Sequence, residues 1–309
     1  MTDNTWRPEK LQSTKHYFNE LGSSALFVLS NGKAVINWGQ TDRNFNCHSI
    51  RKSLLNALIG IAVEQGQIDL NATLAQLAID DKEPLSEQEK QATVISLLKS
   101  RSGVYHWANY QPKADRKHLP KRESYGPDQH FVYNNWDFNA LGTIYTQCTG
   151  LDIFEAFQQQ MAVPLQMEDF VLEENRSIGG PDSIHPAYVF RLSARDLAKL
   201  GQLYLQRGQW NGKQILSEAW VAESLHPYSK SPDGRSYGYL WWVASGGVLL
   251  PNVTVPDGSF AAYGVGGHFM IVIPEYELVV VHRFDSDQEN YQKLAPSPFQ
   301  QGTLLNLIL

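Results

Sequence analysis

The chain is poor in cysteine. Its 309 residues include two, Cys47 and Cys148, which allow one bridge at most, so no disulfide framework holds this fold together. No set of cysteines and histidines has zinc spacing, and neither a metal nor another cofactor is expected. No run of about 18 apolar residues occurs, which excludes a conventional membrane-spanning helix. Lysine and arginine form no block, and with 26 basic against 32 acidic residues nucleic acid is not an expected partner. The amino terminus, Met1-Thr2-Asp3-Asn4-Thr5-Trp6-Arg7, has no apolar stretch of the kind that marks a secretory leader. As written, the chain is expected to be cytoplasmic; a periplasmic location would go with a leader already removed. What remains is a folded chain, 42% hydrophobic and 11% aromatic, with eight tryptophans to share between core and cleft.

Ser24–Ser30 and Lys33–Trp38 flank Asn31-Gly32, a dipeptide that takes positive φ readily, so a β-hairpin is predicted there. A buried helix is predicted from Ser49 to Gly66. Leu74–Ile79, Glu87–Lys99, Asp137–Cys148 and Ile153–Met161 also read as helices, and Ser193 caps another that runs to Leu205. Strands are predicted at Tyr237–Val243, Phe269–Ile273 and Leu278–His282. Strands at both ends of the chain pair most simply into one sheet. The expected fold is therefore mixed α/β (α+β): an antiparallel sheet flanked by helices, plus a helical lobe. Residues 1–60 and 231–309 are assigned to the sheet lobe and 61–230 to the helical lobe, with a site in the cleft between them. Gln111–His130, rich in charge and holding three prolines, is expected to be a mobile loop.

Ser49-Ile50-Arg51-Lys52 places a serine and a lysine on one helical turn, where the amine can activate the hydroxyl. Ser96-Leu97-Leu98-Lys99 repeats the spacing inside an apolar run, and Lys99 there is expected to reach solvent. The neighbours of Ser49 separate the two. Tyr133-Asn134-Asn135 puts a phenol and an amide on one loop: the phenol can serve as general base and then acid, and Asn135 can orient Lys52 or a substrate carbonyl. Asn135 is also a candidate N-cap. Gly264-Val265-Gly266-Gly267-His268 leads into a strand and lets a ligand approach the backbone closely. The N–H groups of Ser49 and Gly267 are the expected oxyanion donors.

In this order the three motifs resemble those of the serine β-lactamase and penicillin-binding protein superfamily. The nearest branch is that of class C β-lactamases, D-alanyl-D-alanine carboxypeptidases, family VIII esterases and 6-aminohexanoate-dimer hydrolase. The hairpin before Ser49, Leu97-Leu98-Lys99-Ser100-Arg101-Ser102-Gly103, Tyr133–Gly142 and Tyr237–Trp242 extend the likeness over most of the chain. The resemblance implies a β-lactamase/transpeptidase-like fold and a Ser49 acyl-enzyme. It implies a small-molecule ester, amide or peptide-like substrate, and no cofactor. The third motif departs from the family pattern, which begins Lys-Thr-Gly or His-Thr-Gly with a cation for the substrate carboxylate. Here Gly264-Val265-Gly266-Gly267 offers no cation, with His268 as the one possible substitute. The departure favours an esterase or amidase over a β-lactamase or D-Ala-D-Ala carboxypeptidase.

Trp241, with Tyr263, is expected to line the substrate pocket, and its neighbour Trp242 to point the other way. Cys47 is expected to be a buried thiol, and His106 a cleft or structural residue. His118, His130 and His185 carry no metal role. Two other readings compete. Gly234-Arg235-Ser236-Tyr237-Gly238 has the Gly-x-Ser-x-Gly form of an α/β-hydrolase elbow, with Asp257 and His268 or His282 downstream; it requires a strand before Ser236 and a helix after it. A non-catalytic relative that binds a ligand in the same cleft is the other.

Overall fold

The computed structural model describes residues 6–309, the side chains of 113–115 excepted. Its centre is an eight-stranded antiparallel sheet. The strands are β1 (Ala25–Ser30), β2 (Lys33–Gly39), β3 (Ser229–Lys230), β4 (Ser236–Tyr237), β5 (Trp242–Val243), β6 (Phe260–Gly264), β7 (His268–Ile273) and β8 (Leu278–Arg283). Their spatial order is β2-β1-β8-β7-β6-β5-β4-β3. The Asn31-Gly32 turn closes the first hairpin with φ of 50° and 70°, as the dipeptide predicts. β1 then pairs with β8, register Ala25 to Arg283, so the two ends of the chain share one sheet.

Every residue of β7 and β8 is buried, which requires cover on both faces and explains their unbroken apolar runs. The helices begin with α1 (Pro8–Glu20), which packs against the last helix, and α2 (Arg51–Glu64). They continue with α3 (Val94–Leu98), α4 (Asn135–Thr149), α5 (Ile153–Phe157) and α6 (Ala194–Leu205). α7 (Glu218–Ser224), α8 (Tyr291–Leu294) and α9 (Pro298–Ile308) follow. α6 packs on β1, β7 and β8, and Ser193 caps it by accepting from Asp196 N, as its sequence predicts.

Several predicted elements take a different form. Leu74–Ile79 is a run of turns, and Glu87–Lys99 splits into a 3-10 turn and α3, which starts afresh on the Thr93 cap. Tyr237–Val243 is not one strand: Leu240, at φ 61°, reverses the chain between β4 and β5, so Tyr237 pairs with Trp242. β6 has no counterpart among the predicted strands. The segment Gln111–His130 is tied down at three places. Arg122 binds the buried Glu89 at 2.7 Å, Arg116 pairs with Asp182, and Asp128 accepts from Ser96 at 2.8 Å. Glu89 is buried, but the His106 and Arg122 side chains bonded to it hold its carboxyl down at about 2. His106 is thereby a structural residue, while His130 stacks on Tyr125 and His185 bonds Thr143.

Asp137, in the first turn of α4, accepts from Ser102 Oγ at 2.5 Å and Asn134 Nδ2 at 3.1 Å. It is 1% exposed, and burial raises its carboxyl well above the usual carboxylate range despite those bonds. A folded state that keeps a proton the unfolded chain has lost becomes less stable as pH rises from about 4, by up to about 1.4 kcal/mol per pH unit. Asp137→Asn carries no such proton. Its melting temperature relative to wild type should therefore climb between pH 5 and pH 8; a difference that stays flat would mean an ionised Asp137.

Candidate active site

Ser49 is the middle residue of a 3-10 turn, His48–Ile50, that runs straight into α2. α2 is buried almost all round from Arg51 to Gly60, as expected of a helix threaded through a core. Its polar residues each find a partner. Arg51 donates to Asn139 at 2.8 Å, Ser53 to Leu240 O at 2.8 Å, and Asn56 to Tyr239 O at 2.8 Å. The last two tie the helix to the reversal between β4 and β5. Lys52 is 2% exposed, with Nζ donating to Ser49 Oγ at 2.7 Å and to Tyr133 Oη at 2.9 Å. The amine also lies over the Tyr133 and Phe138 rings, 4.6 and 4.7 Å from their centroids.

The position of Tyr133 is set by its neighbours. Ser100 Oγ donates to Val132 O at 2.6 Å and accepts from Asn134 N at 3.1 Å. Asn134, not Asn135, caps α4, its Oδ1 accepting from Trp136 N at 3.1 Å. The Tyr133 ring stacks on Trp242, centroids 5.4 Å apart. Opposite stands the glycine loop between β6 and β7. A Cβ on Gly264 would fall 2.7 Å from Cys47 O, so the bare backbone lets the loop lie against the Ser49 turn. A Cβ on Gly266 would meet Tyr291 and Ser286, and one on Gly267 would meet Pro296 and Phe284. Beneath, His48 and His268 both reach Ser286 Oγ, at 2.8 and 3.2 Å. Burial, aided by the nearby Arg283 guanidinium, lowers the His48 imidazole to about 4 and pushes His268 well below its usual range. His268 is thus neutral near pH 7 and does not replace the missing cation.

A cavity of about 990 Å³ opens on these groups. Of the residues singled out in the sequence, Ser49, Tyr133, Tyr263, Gly266, Gly267 and His268 line it. Lys52 lies behind Ser49 and Tyr133. Asn135 opens α4 and is outside the lining. Trp241 is a correction: the Leu240 reversal turns it into the core against Tyr204 and Phe260, fully buried, and it is Trp242 that lines the cavity. Strand alternation shows that the two rings point apart but not which one faces the cleft. Arg235 and Asp233 also line the cavity, and no sequence signal marked them as site residues. Its far wall is apolar: Val248, Leu249, Leu250, Pro251, Pro296 and Pro298.

The rival motifs find other uses. Ser96 and Lys99 both bind Asp128, at 2.8 Å each, so Lys99 is paired rather than directed to solvent. Ser236 is buried in β4 between two paired strands, with no helix after it. Asp257 accepts from Gly247 N, and His282 bonds Gly267 O and Ser23. No elbow forms. Cys47 is a buried free thiol, raised by burial, and Cys148 is also free. Among the described residues no helix is long and apolar enough to cross a membrane.

An antiparallel sheet flanked by helices, with a helix carrying Ser49 and Lys52 entering the cleft, is the β-lactamase/transpeptidase-like fold. The chain belongs to the beta-lactamase family, whose model matches residues 18–296. It is similar to an uncharacterized protein of Alkalihalophilus pseudofirmus, 22% identical and aligned over 94% of this chain and 92% of the relative. Among solved structures it resembles a family VIII carboxylesterase (TM-score 0.70, 16% identity, 98% of each chain). It also resembles an octameric penicillin-binding protein homologue from Pyrococcus abyssi (TM-score 0.67, 19% identity, 96% of this chain and 77% of that one).

Proposed function

We propose that the protein is a serine hydrolase that cleaves an ester or amide of a small molecule through a Ser49 acyl-enzyme. The observation that carries this reading is the buried Lys52 amine, bonded at once to Ser49 Oγ and Tyr133 Oη. In the reaction Ser49 Oγ attacks the acyl carbon while its proton passes to the Lys52–Tyr133 pair. The tetrahedral oxyanion is held by the Ser49 N–H and a second backbone donor from the glycine loop. The Gly264 end of that loop meets the Ser49 turn, and Gly267, which lines the same cavity as Ser49, is assigned as the second donor through its N–H. Tyr133 then protonates the leaving oxygen or nitrogen, and the carbonyl re-forms as the acyl-enzyme. A water that yields its proton to Tyr133 attacks the acyl carbon, and Ser49 leaves as the alcohol. Asn135, two residues from Tyr133 and buried at the start of α4, is assigned to orienting Lys52 or the substrate.

The extent of the apolar wall supports an esterase or amidase, and the glycine loop itself carries no cation. A fluorophosphonate probe should label the wild-type protein on Ser49, and Ser49→Ala should abolish the label. Labelling that survives Ser49→Ala and is lost in Ser236→Ala would sink the proposal. No labelling, together with no turnover of p-nitrophenyl esters or nitrocefin, would favour a ligand-binding relative.

A further inference from the structure

The cavity contains a charged pair that the reaction above does not use. Arg235, immediately before β4, lies over Trp242 with its guanidinium carbon 4.0 Å from the ring centroid, and 5.5 Å from that of Tyr263. Trp242 in turn is the ring stacked on Tyr133. The guanidinium is thus mounted on the aromatic wall of the reaction centre, and its side chain is 24% exposed. Arg235 and Asp233 are the charged side chains among the described lining residues.

The way the pair is made leaves one face of the guanidinium unused. Asp233 Oδ2 accepts from Nε at 2.9 Å and from Nη2 at 2.5 Å. That occupies the side-on edge of the planar fork. The end-on edge, Nη1 with the second hydrogen of Nη2, lies outside the pair, and it matches the two oxygens of a carboxylate. Asp233 also accepts from Arg235 N at 3.3 Å, so the carboxylate fixes the backbone and the side chain of the arginine together. A long side chain fixed on two rings and one carboxylate has already lost most of its rotamer freedom, so little is left to lose when an anion arrives. The wall formed by Val248, Leu249, Leu250, Pro251, Pro296 and Pro298 is apolar and suits a hydrocarbon spacer.

We propose that Arg235 is a specificity-determining residue that receives a carboxylate on the substrate. The substrate class is then an ester or amide with a second, anionic group, separated from the scissile carbonyl by an apolar spacer. This rests on the hydrolase reading above and narrows it.

The test compares p-nitrophenyl monoesters of glutaric, adipic and pimelic acid, each with a free terminal carboxylate, with neutral p-nitrophenyl alkanoates of the same chain length. The ratio of kcat/KM within each pair is read in one protein at a time, so a general loss of activity cancels. In the wild type the best-fitting acid should exceed its neutral partner by about 10- to 100-fold, the range of a charge-assisted hydrogen bond. Arg235→Gln should bring the ratio close to one. Arg235→Lys, which keeps the charge but not the fork, should fall between. Asp233→Asn, which keeps an acceptor oxygen for the Arg235 fork but removes the negative charge beside it, should raise the ratio, and that rise should vanish when Arg235→Gln is added. A wild-type ratio near one, or a ratio unchanged in Arg235→Gln, overturns the inference while leaving the Ser49 hydrolase standing.

Binding separates the two claims further. Ser49→Ala protein titrated with monobutyl adipate should bind it at least about 10-fold more tightly than the Ser49→Ala/Arg235→Gln protein does. Such a difference would support the carboxylate site even if no ester were turned over. Equal binding by the two proteins would remove it.

Discussion

Lys52→Met should lower ester hydrolysis by about 10³-fold or more while leaving the protein folded and about as stable as wild type. The two halves of that expectation come from the same contacts. Lys52 Nζ is the group that bridges Ser49 and Tyr133, so removing it leaves the nucleophile without a path for its proton. The lysine stem packs at 2% exposure, and methionine fills nearly the same volume without a charge to bury. The hydroxyls of Ser49 and Tyr133 line the cavity, where water can replace the lost bond. Steady-state kinetics and a thermal melt on one preparation check both halves. A variant that is stable and still turns over at more than about a tenth of the wild-type rate would remove Lys52 from the chemistry.

Gly264→Ala should lower kcat by about 10²-fold, the scale of losing one oxyanion donor. The new methyl carbon would fall 2.7 Å from Cys47 O and 3.3 Å from His48 Cβ. Cys47 O is backbone and cannot swing aside, and the next residues are the Ser49 turn. Relief must come from the glycine loop moving outward, and its backbone N–H groups, that of Gly267 included, move with it. The stability cost should be about 1–3 kcal/mol, typical of one methyl group forced into a packed contact. KM should change less than kcat, because the apolar wall and Arg235 are on other segments. A folded Gly264→Ala protein with unchanged kcat would show that the loop does not serve the reaction.

The features that were legible in the sequence are those whose cause is local. Asn31-Gly32 specifies its turn by backbone conformation, and Ser193 specifies a helix start by one hydrogen bond. The Ser49–Lys52–Tyr133 set was legible because helical spacing fixes the first pair and motif order brings in the third. What was missed depends on tertiary contacts. Tyr237–Val243 has the composition of a strand, and its reversal at Leu240 is held by Ser53 and Asn56, far away on α2. Trp241 and Trp242 exchange roles for that reason. The charge and prolines of Gln111–His130 suggested mobility, yet Arg122 finds Glu89 and Asp128 finds Ser96 only in the folded chain. Asn134 and Asn135 are equivalent as sequence. Ser102 and Asp137, which Asn134 joins, decide between them.

The pairing of β1 with β8 also gives the molecule a temporal order. A ribosome makes the β1–β2 hairpin and the Ser49 turn before the other strands of the sheet, and the strand that completes the hairpin's free edge after all of them. Until residues 264–268 have been made, Ser49 has no loop opposite it. Contacts this distant in sequence also close slowly. A product that stopped before residue 264 would carry an unpaired β1 edge and would lack the glycine loop.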